Sequence, residues 1–169
     1  MKFLYKNLAL LSGISIVLFF FYPVEKAEAA IAQDGTSNNG AEALVTTFSW
    51  SHTVTTSNVL VVGICMGDLT DTDRTVLGVT FNGDALTLIE ETDGDADNLS
   101  SALWWMANPD VGTFTISVTL NGSNSEVGGL GLSLTGVDTS AIDAETEDLT
   151  TNSTTQSFDI TTVADNAWA

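Results

Sequence analysis

From Thr113 to Leu120 the chain alternates without a break: Phe114, Ile116, Val118 and Leu120 fall on one side, Thr113, Thr115, Ser117 and Thr119 on the other. A period of two is what a strand with one face in a core and one in water requires. Residues 44–54 show the same period, with Leu44, Phe48, Trp50, His52 and Val54 opposite Thr47, Ser49, Ser51 and Thr53. No window beyond residue 30 sustains a helical period. Threonine occurs 24 times, always after residue 35, and β-branched side chains suit strands.

Further strands follow from local signals. The apolar run 59–66 reads as a central strand covered on both sides. Residues 76–81 and 85–89 flank Asn82-Gly83-Asp84, whose Asn-Gly pair accepts the positive φ angles of a tight hairpin turn. Residues 101–107 form another strand, closed by the turn Asn108-Pro109-Asp110-Val111-Gly112, where proline presets φ. Residues 127–137 read as a strand interrupted by Gly128, Gly129 and Gly131, which signals a bulge or a close backbone approach. Residues 157–162 carry Phe158 and Ile160 inward, and 138–156 is the most weakly patterned stretch. Strands every 10 to 15 residues with turns between them predict an all-β chain, an antiparallel β-sandwich of jelly-roll-like form.

The N-terminus is of another kind. Lys2 and Lys6 precede an apolar stretch over 8–22, Pro23 ends it, and Ala27-Glu28-Ala29 offers small residues for cleavage. Fifteen residues at ~1.5 Å each reach about 22 Å, short of a ~30 Å hydrocarbon core. Residues 1–29 are expected to be a helical, cleaved signal peptide, and 30–169 a single sandwich domain, extracellular or at the cell surface.

Charge narrows the function. From residue 30 onward there are 20 acids and one base, Arg74, a net of -19. Nucleic-acid binding through phosphates and docking on anionic membranes both need Lys and Arg, so both are excluded. The absence of lysine past residue 26 excludes Schiff-base chemistry, and a single cysteine, Cys65, excludes an internal disulfide.

Taken in order, several strings resemble one known module: Ser51-His52-Thr53-Val54, Asn58-Val59-Leu60-Val61-Val62-Gly63-Ile64, Gly78-Val79-Thr80-Phe81-Asn82-Gly83-Asp84-Ala85-Leu86-Thr87, Leu103-Trp104-Trp105-Met106-Ala107-Asn108-Pro109, Gly112-Thr113-Phe114-Thr115-Ile116-Ser117-Val118 and Leu134-Thr135-Gly136-Val137-Asp138. It is the jelly-roll-like β-sandwich of secreted and adhesin-like surface proteins of bacteria and archaea. The resemblance covers about residues 31–169 and implies architecture and location, with no catalytic motif to carry over. It also implies a further strand after Ala167-Trp168-Ala169, so the chain is expected to stop inside its last or next-to-last strand.

Candidate chemistry is sparse. His52 is the only histidine; no Gly-x-Ser-x-Gly elbow accompanies it, and it reads as a structural, hydrogen-bonded ring in a strand. Cys65 reads as a small core residue. Asp93, Asp95 and Asp97 alternate along one loop, as oxygen ligands for a hard cation can. The EF-hand pattern fails, with Asn98 at its sixth position and Trp104 at its twelfth. Asp68, Asp71 and Asp73 form a second acidic loop beside Arg74. Weakly bound calcium is the expectation if either loop binds a cofactor, and solvated acidic loops are the plainer reading. Glu90-Glu91 reads as a solvated edge. Adjacent Trp104 and Trp105 must face opposite sides of their strand, so one is expected in the core; the other, if exposed, could stack on a sugar ring, and burial of both under loops is the plainer reading. Sequons begin at Asn98, Asn121 and Asn152. The expected function is a non-catalytic module for adhesion, spacing or glycan contact, with glycans or other surface proteins as partners. The alternative is a jelly-roll glycan hydrolase with paired carboxylates at ~5–9.5 Å.

Overall fold

In a computed structural model, the described residues are 30–67, 75–94, 99–123, 126–140 and 142, the side chains of 93 and 94 excepted. The expected signal segment, the strand expected over 157–162, most of the weakly patterned stretch and the chain's last residues lie outside them.

Among the described residues, nine strands form two antiparallel sheets: β1 Ala32–Glu42, β2 Thr47–Val54, β3 Val59–Gly67, β4 Val76–Phe81, β5 Asp84–Ala85, β6 Thr87–Gly94, β7 Leu99–Ala107, β8 Gly112–Leu120 and β9 Glu126–Thr135. The five-stranded sheet runs β1-β9-β3-β7-β6 and the four-stranded sheet β2-β8-β4-β5. The inward faces share one core. Phe48, Trp50 and Val54 of β2, Val79 and Phe81 of β4, and Ile116, Val118 and Leu120 of β8 meet Leu60, Val62, Ile64 and Met66 of β3, Ala102 and Trp104 of β7, and Val127 of β9. The arrangement is a β-sandwich.

The alternating strands behave as their period predicts. In β8, Ile116, Val118 and Leu120 are buried, Phe114 is half-buried, and Thr113, Thr115 and Thr119 are exposed. In β2, Phe48, Trp50, His52 and Val54 are buried between exposed neighbours. Asn82 and Gly83 have φ angles of 53° and 91°, the pair of positive values that a two-residue turn between right-twisted strands demands.

Four expectations need correction. Leu44 does not join the inward row of β2; it is 78% exposed, with φ 58° in the connection after β1. β3 is central in its sheet but covered on one face only, since Val61 and Gly63 are half-buried and Cys65 is exposed. Cys65 is therefore not a core residue. The strand expected over 85–89 is divided at Leu86: β5 pairs with β4, β6 pairs with β7 in the other sheet, and the Leu86 amide donates to the Val79 carbonyl at 2.9 Å. An apolar run cannot reveal which sheet each half joins.

β1 has no counterpart among the predicted strands. Its sequence, AQDGTSNNGAE, buries no residue fully. It pairs with β9 across two irregularities, between Gln33 and Gly35 and between Asn38 and Ala41.

Candidate functional site

Short polar side chains fasten β1 to the sandwich. Trp50 Nε1 donates to Ser37 Oγ at 2.9 Å, and Ser37 Oγ lies 2.8 Å from His52 Nδ1. Indole N–H only donates, so the serine oxygen accepts there and its own proton is free for Nδ1. The neutral ring then carries its hydrogen on Nε2. That nitrogen is buried without a hydrogen-bond partner. His52 is 1% exposed and its ring meets Phe81 edge-on, with centroids 6.1 Å apart.

Asp34 holds the next connection. Its Oδ2 accepts from the Thr55 amide at 2.8 Å and from Ser133 Oγ at 3.2 Å. Its Oδ1 accepts from the Thr56 amide at 3.2 Å and the Thr56 hydroxyl at 3.4 Å. At the far end of β1, Asn39 Oδ1 accepts the Gly129 amide at 2.6 Å. Asp34, Ser37 and Asn39 thus bind β1 to β2, to the loop after it and to β9.

Electrostatics follow the geometry. Burial pushes the His52 pKa below its ordinary value, against the opposing pull of the Asp34 charge. Burial works against ionising Asp34, but the amides of Thr55 and Thr56 and the hydroxyls of Ser133 and Thr56 outweigh it and hold the carboxyl below its ordinary value. Desolvation disfavours the charged form of each group, and hydrogen bonds to a carboxylate favour it.

Ser37, His52 and Asp34 are the residue types of a nucleophilic triad, but their geometry is not that of one. A catalytic histidine takes the serine proton at Nε2 while an acid orients Nδ1. Here the serine occupies Nδ1, Nε2 faces the core, and Asp34 is engaged by backbone amides. The cluster ties strands together. Sequence reasoning identified His52 as a structural ring and missed its partners, because nothing in the polar run 32–42 marks a strand.

Glu91 departs from the expected solvated edge. It is half-buried, and its Oε1 accepts the Val76 amide at 2.6 Å, joining edge strand β6 to the start of β4 in the other sheet.

The two tryptophans part as expected. Trp104 faces the core, 8% exposed, with Nε1 unpartnered. Trp105 lies half-buried on the opposite face of the five-stranded sheet. It belongs to a row in which Leu132, Val61 and Trp105 are neighbours, above a second row of Leu130, Gly63 and Leu103. Leu130 is 50% and Leu103 40% exposed. Trp104 is thus the core ring and Trp105 the ring on the outer face.

Asp68, Asp71, Asp73, Asp95 and Asp97 lie outside the described residues, and of Asp93 only the backbone, opposite Ser100 in β6, is described. Among the described residues no group of three His, Cys, Asp or Glu is placed to hold a metal. Of the sequons, only Asn121 is described as a whole side chain; its Oδ1 accepts the Thr75 amide at 3.1 Å.

The chain matches no protein-family model and no curated relative. Neither comparison points to a catalytic activity.

Proposed function

We propose that the domain is a non-catalytic extracellular module of jelly-roll form, exported by residues 1–29 and serving as a spacer or adhesive contact in a secreted or surface protein. One observation carries the non-catalytic part of this reading. The groups best suited to chemistry among the described residues, Ser37, His52 and Asp34, are each engaged in holding one strand to another. The jelly-roll form is supported by nested pairing: β1 with β9, β2 with β8, β3 with β7 and β4 with β5, alternating between the two sheets, with β6 added at an edge. That is the order of one long antiparallel ribbon rolled over on itself. The acidic surface favours neutral or basic partners over anionic ones.

The experiment is export in a bacterial host with a general secretory pathway. The expected product lies outside the cytoplasm and begins at Ala30. Full-length protein retained in the cytoplasm contradicts the reading. Calcium at Asp93, Asp95 and Asp97 remains part of the proposal; calorimetry should show heat in the ~10⁻⁴–10⁻³ M range of extracellular modules, reduced by Asp95→Asn.

Trp105 on its half-open face favours a second reading, contact with a neutral glycan. Titration with neutral oligosaccharides should then quench tryptophan fluorescence in wild type and leave Trp105→Ala unchanged.

A further inference from the structure

β1 lies at the edge of its sheet, paired there with β9 alone. It buries no residue fully, so its departure takes no side chain out of the core. What it covers is specific. Without β1, the β9 edge presents unpaired amides and carbonyls, and Trp50 Nε1, His52 Nδ1 and the amides of Thr55, Thr56 and Gly129 lose the partners that β1 supplies. A replacement strand must bring a carboxylate, a hydroxyl and an amide oxygen at the spacing of Asp34, Ser37 and Asn39. It must also carry no side chain in the place of Gly35, where a Cβ would lie 2.8 Å from the Thr53 carbonyl oxygen and 3.2 Å from Ser133 Oγ. The strand that meets all four demands is β1 of another copy of this chain.

The connection to β2 is built as a hinge. Val45 packs against the core, and the Thr46 carbonyl accepts the Leu120 amide at 2.9 Å, so the chain is anchored from Val45 onward. Between this anchor and the end of β1 at Glu42 lie Ala43 and Leu44. Leu44 is held at φ 58°, in the left-handed region that is costly for a residue with a Cβ. Extending the connection removes that cost, and short hinges under strain favour exchange of the element they carry. We propose that β1 is exchanged between two copies: the β1 of each chain docks on the β9 edge of the other, and Leu44 is extended in both. Every hydrogen bond that holds β1 is kept, now between chains, and two strained hinges are relaxed. Charge sets the conditions. Two domains of net charge -19 repel, and the chain's own β1 competes at an effective concentration on the order of mM, so exchange belongs to concentrated protein in screening salt. This inference concerns β1 and stands apart from the export and glycan readings.

The test uses residues 30–169 at up to about 1 mM, with sodium chloride raised from about 0.01 to 1 M, which shortens the Debye length from ~30 to ~3 Å. Sedimentation should show a dimer whose share grows with salt and with protein concentration. Leu44→Gly, which removes the strain at both hinges, should weaken dimerisation about 30-fold or more. A second measurement follows the strand itself. In two chains that both carry Cys65→Ser, Thr36→Cys in one and Leu132→Cys in the other place thiols on register partners of β1 and β9. Mixed and oxidised with diamide at the higher salt, they should form a disulfide-linked heterodimer several-fold faster than the Thr36→Cys chain forms with one carrying Thr115→Cys, an exposed site on the other sheet. A wild-type chain that stays monomeric at the highest concentration and salt overturns the inference. So does a dimer as strong in Leu44→Gly as in wild type, or equal linking in the two mixtures.

Discussion

Ser37 is half-buried and small, yet two rings of β2 depend on it. Its hydroxyl accepts from Trp50 and contacts His52 Nδ1, so Ser37→Ala leaves two part-buried polar groups without partners. Each such group costs ~1–3 kcal/mol, and chemical denaturation should show a loss of at least that order. Gly129 and Gly131 of β9 explain the glycine run seen in the sequence. A Cβ on Gly129 would lie 2.5 Å from Trp50 Cη2, and one on Gly131 would lie 2.8 Å from Ile116 Cδ1 and 3.0 Å from Ser37 Oγ. Gly129→Ala should therefore destabilise by the ~1–3 kcal/mol typical of overpacking. The sequence signalled a bulge or a close backbone approach at this glycine run: the β1 partner of Gly128 lies beside an irregularity in register and the Gly40 carbonyl oxygen would lie 3.1 Å from a Cβ there, whereas at Gly129 and Gly131 it is side chains, Trp50 of β2, Ile116 of β8 and Ser37 of β1 among them, that approach. His52 adds a pH dependence. Its pKa is lowered by burial, so the unfolded chain binds the proton more tightly and stability rises with pH in this range. The contribution is complete above the ordinary histidine value of 6.5 and is lost as pH falls through it, down to the lowered value of the fold. Urea midpoints measured between about pH 8 and pH 5, where histidine titrates, should fall toward acid; a flat profile contradicts a buried neutral His52.

Among the elements, β1 shows where sequence patterning stops. Hydropathy reveals a strand by the side chains it buries, and β1 buries none completely; it is fastened through Asp34, Ser37 and Asn39, whose hydrogen bonds leave no periodic mark. β2 and β8 were legible because their inward rows enter the core, and the β4–β5 turn because Asn82-Gly83 accepts positive φ. The crossing at Leu86 was not, since both halves of 85–89 are strand and only the pairing differs. The candidate site divided in the same way. His52 could be singled out as the one histidine in an apolar row, whereas Asp34 and Ser37 could not be distinguished from other polar residues of an acidic, serine-rich chain. Asp34 supplies a second pH term at lower pH. Its carboxyl is held below the ordinary value, so its contribution is present above 3.8 and disappears as pH falls through the lowered value. Asp34→Asn should remove that term, seen as a shallower acid limb of the unfolding curve. The connection after β1 carries a separate strain. Leu44 is exposed at φ 58°, a conformation that costs a side chain with a Cβ roughly 1–2 kcal/mol. Leu44→Gly should relieve it and raise the melting temperature, and a fall would show that Leu44 makes a contact worth more than the strain.

At the scale of the whole molecule, the domain combines an apolar core with a surface of one sign. Beyond residue 30, 20 acids face a single arginine, and like charges at this density repel in the compact state more than in the expanded chain. The folded domain offsets this with a core drawn from both sheets and with side chains such as Glu91 that join them. On the proposed reading, the module works in saline surroundings outside the cell, where screening removes much of the repulsion. The Debye length falls from ~30 Å at 0.01 M salt, comparable to the width of a small domain, to ~8 Å at 0.15 M. Both the charge balance and its consequence could be read from the sequence; what could not be read is how the polar N-terminal strand is fastened beneath that charge. The most direct test of an acidic sandwich suited to a saline exterior is the melting temperature of residues 30–169 at neutral pH as sodium chloride is raised from 0.01 to 0.15 M. A steady rise is predicted; a flat or falling melting temperature over that interval would contradict it.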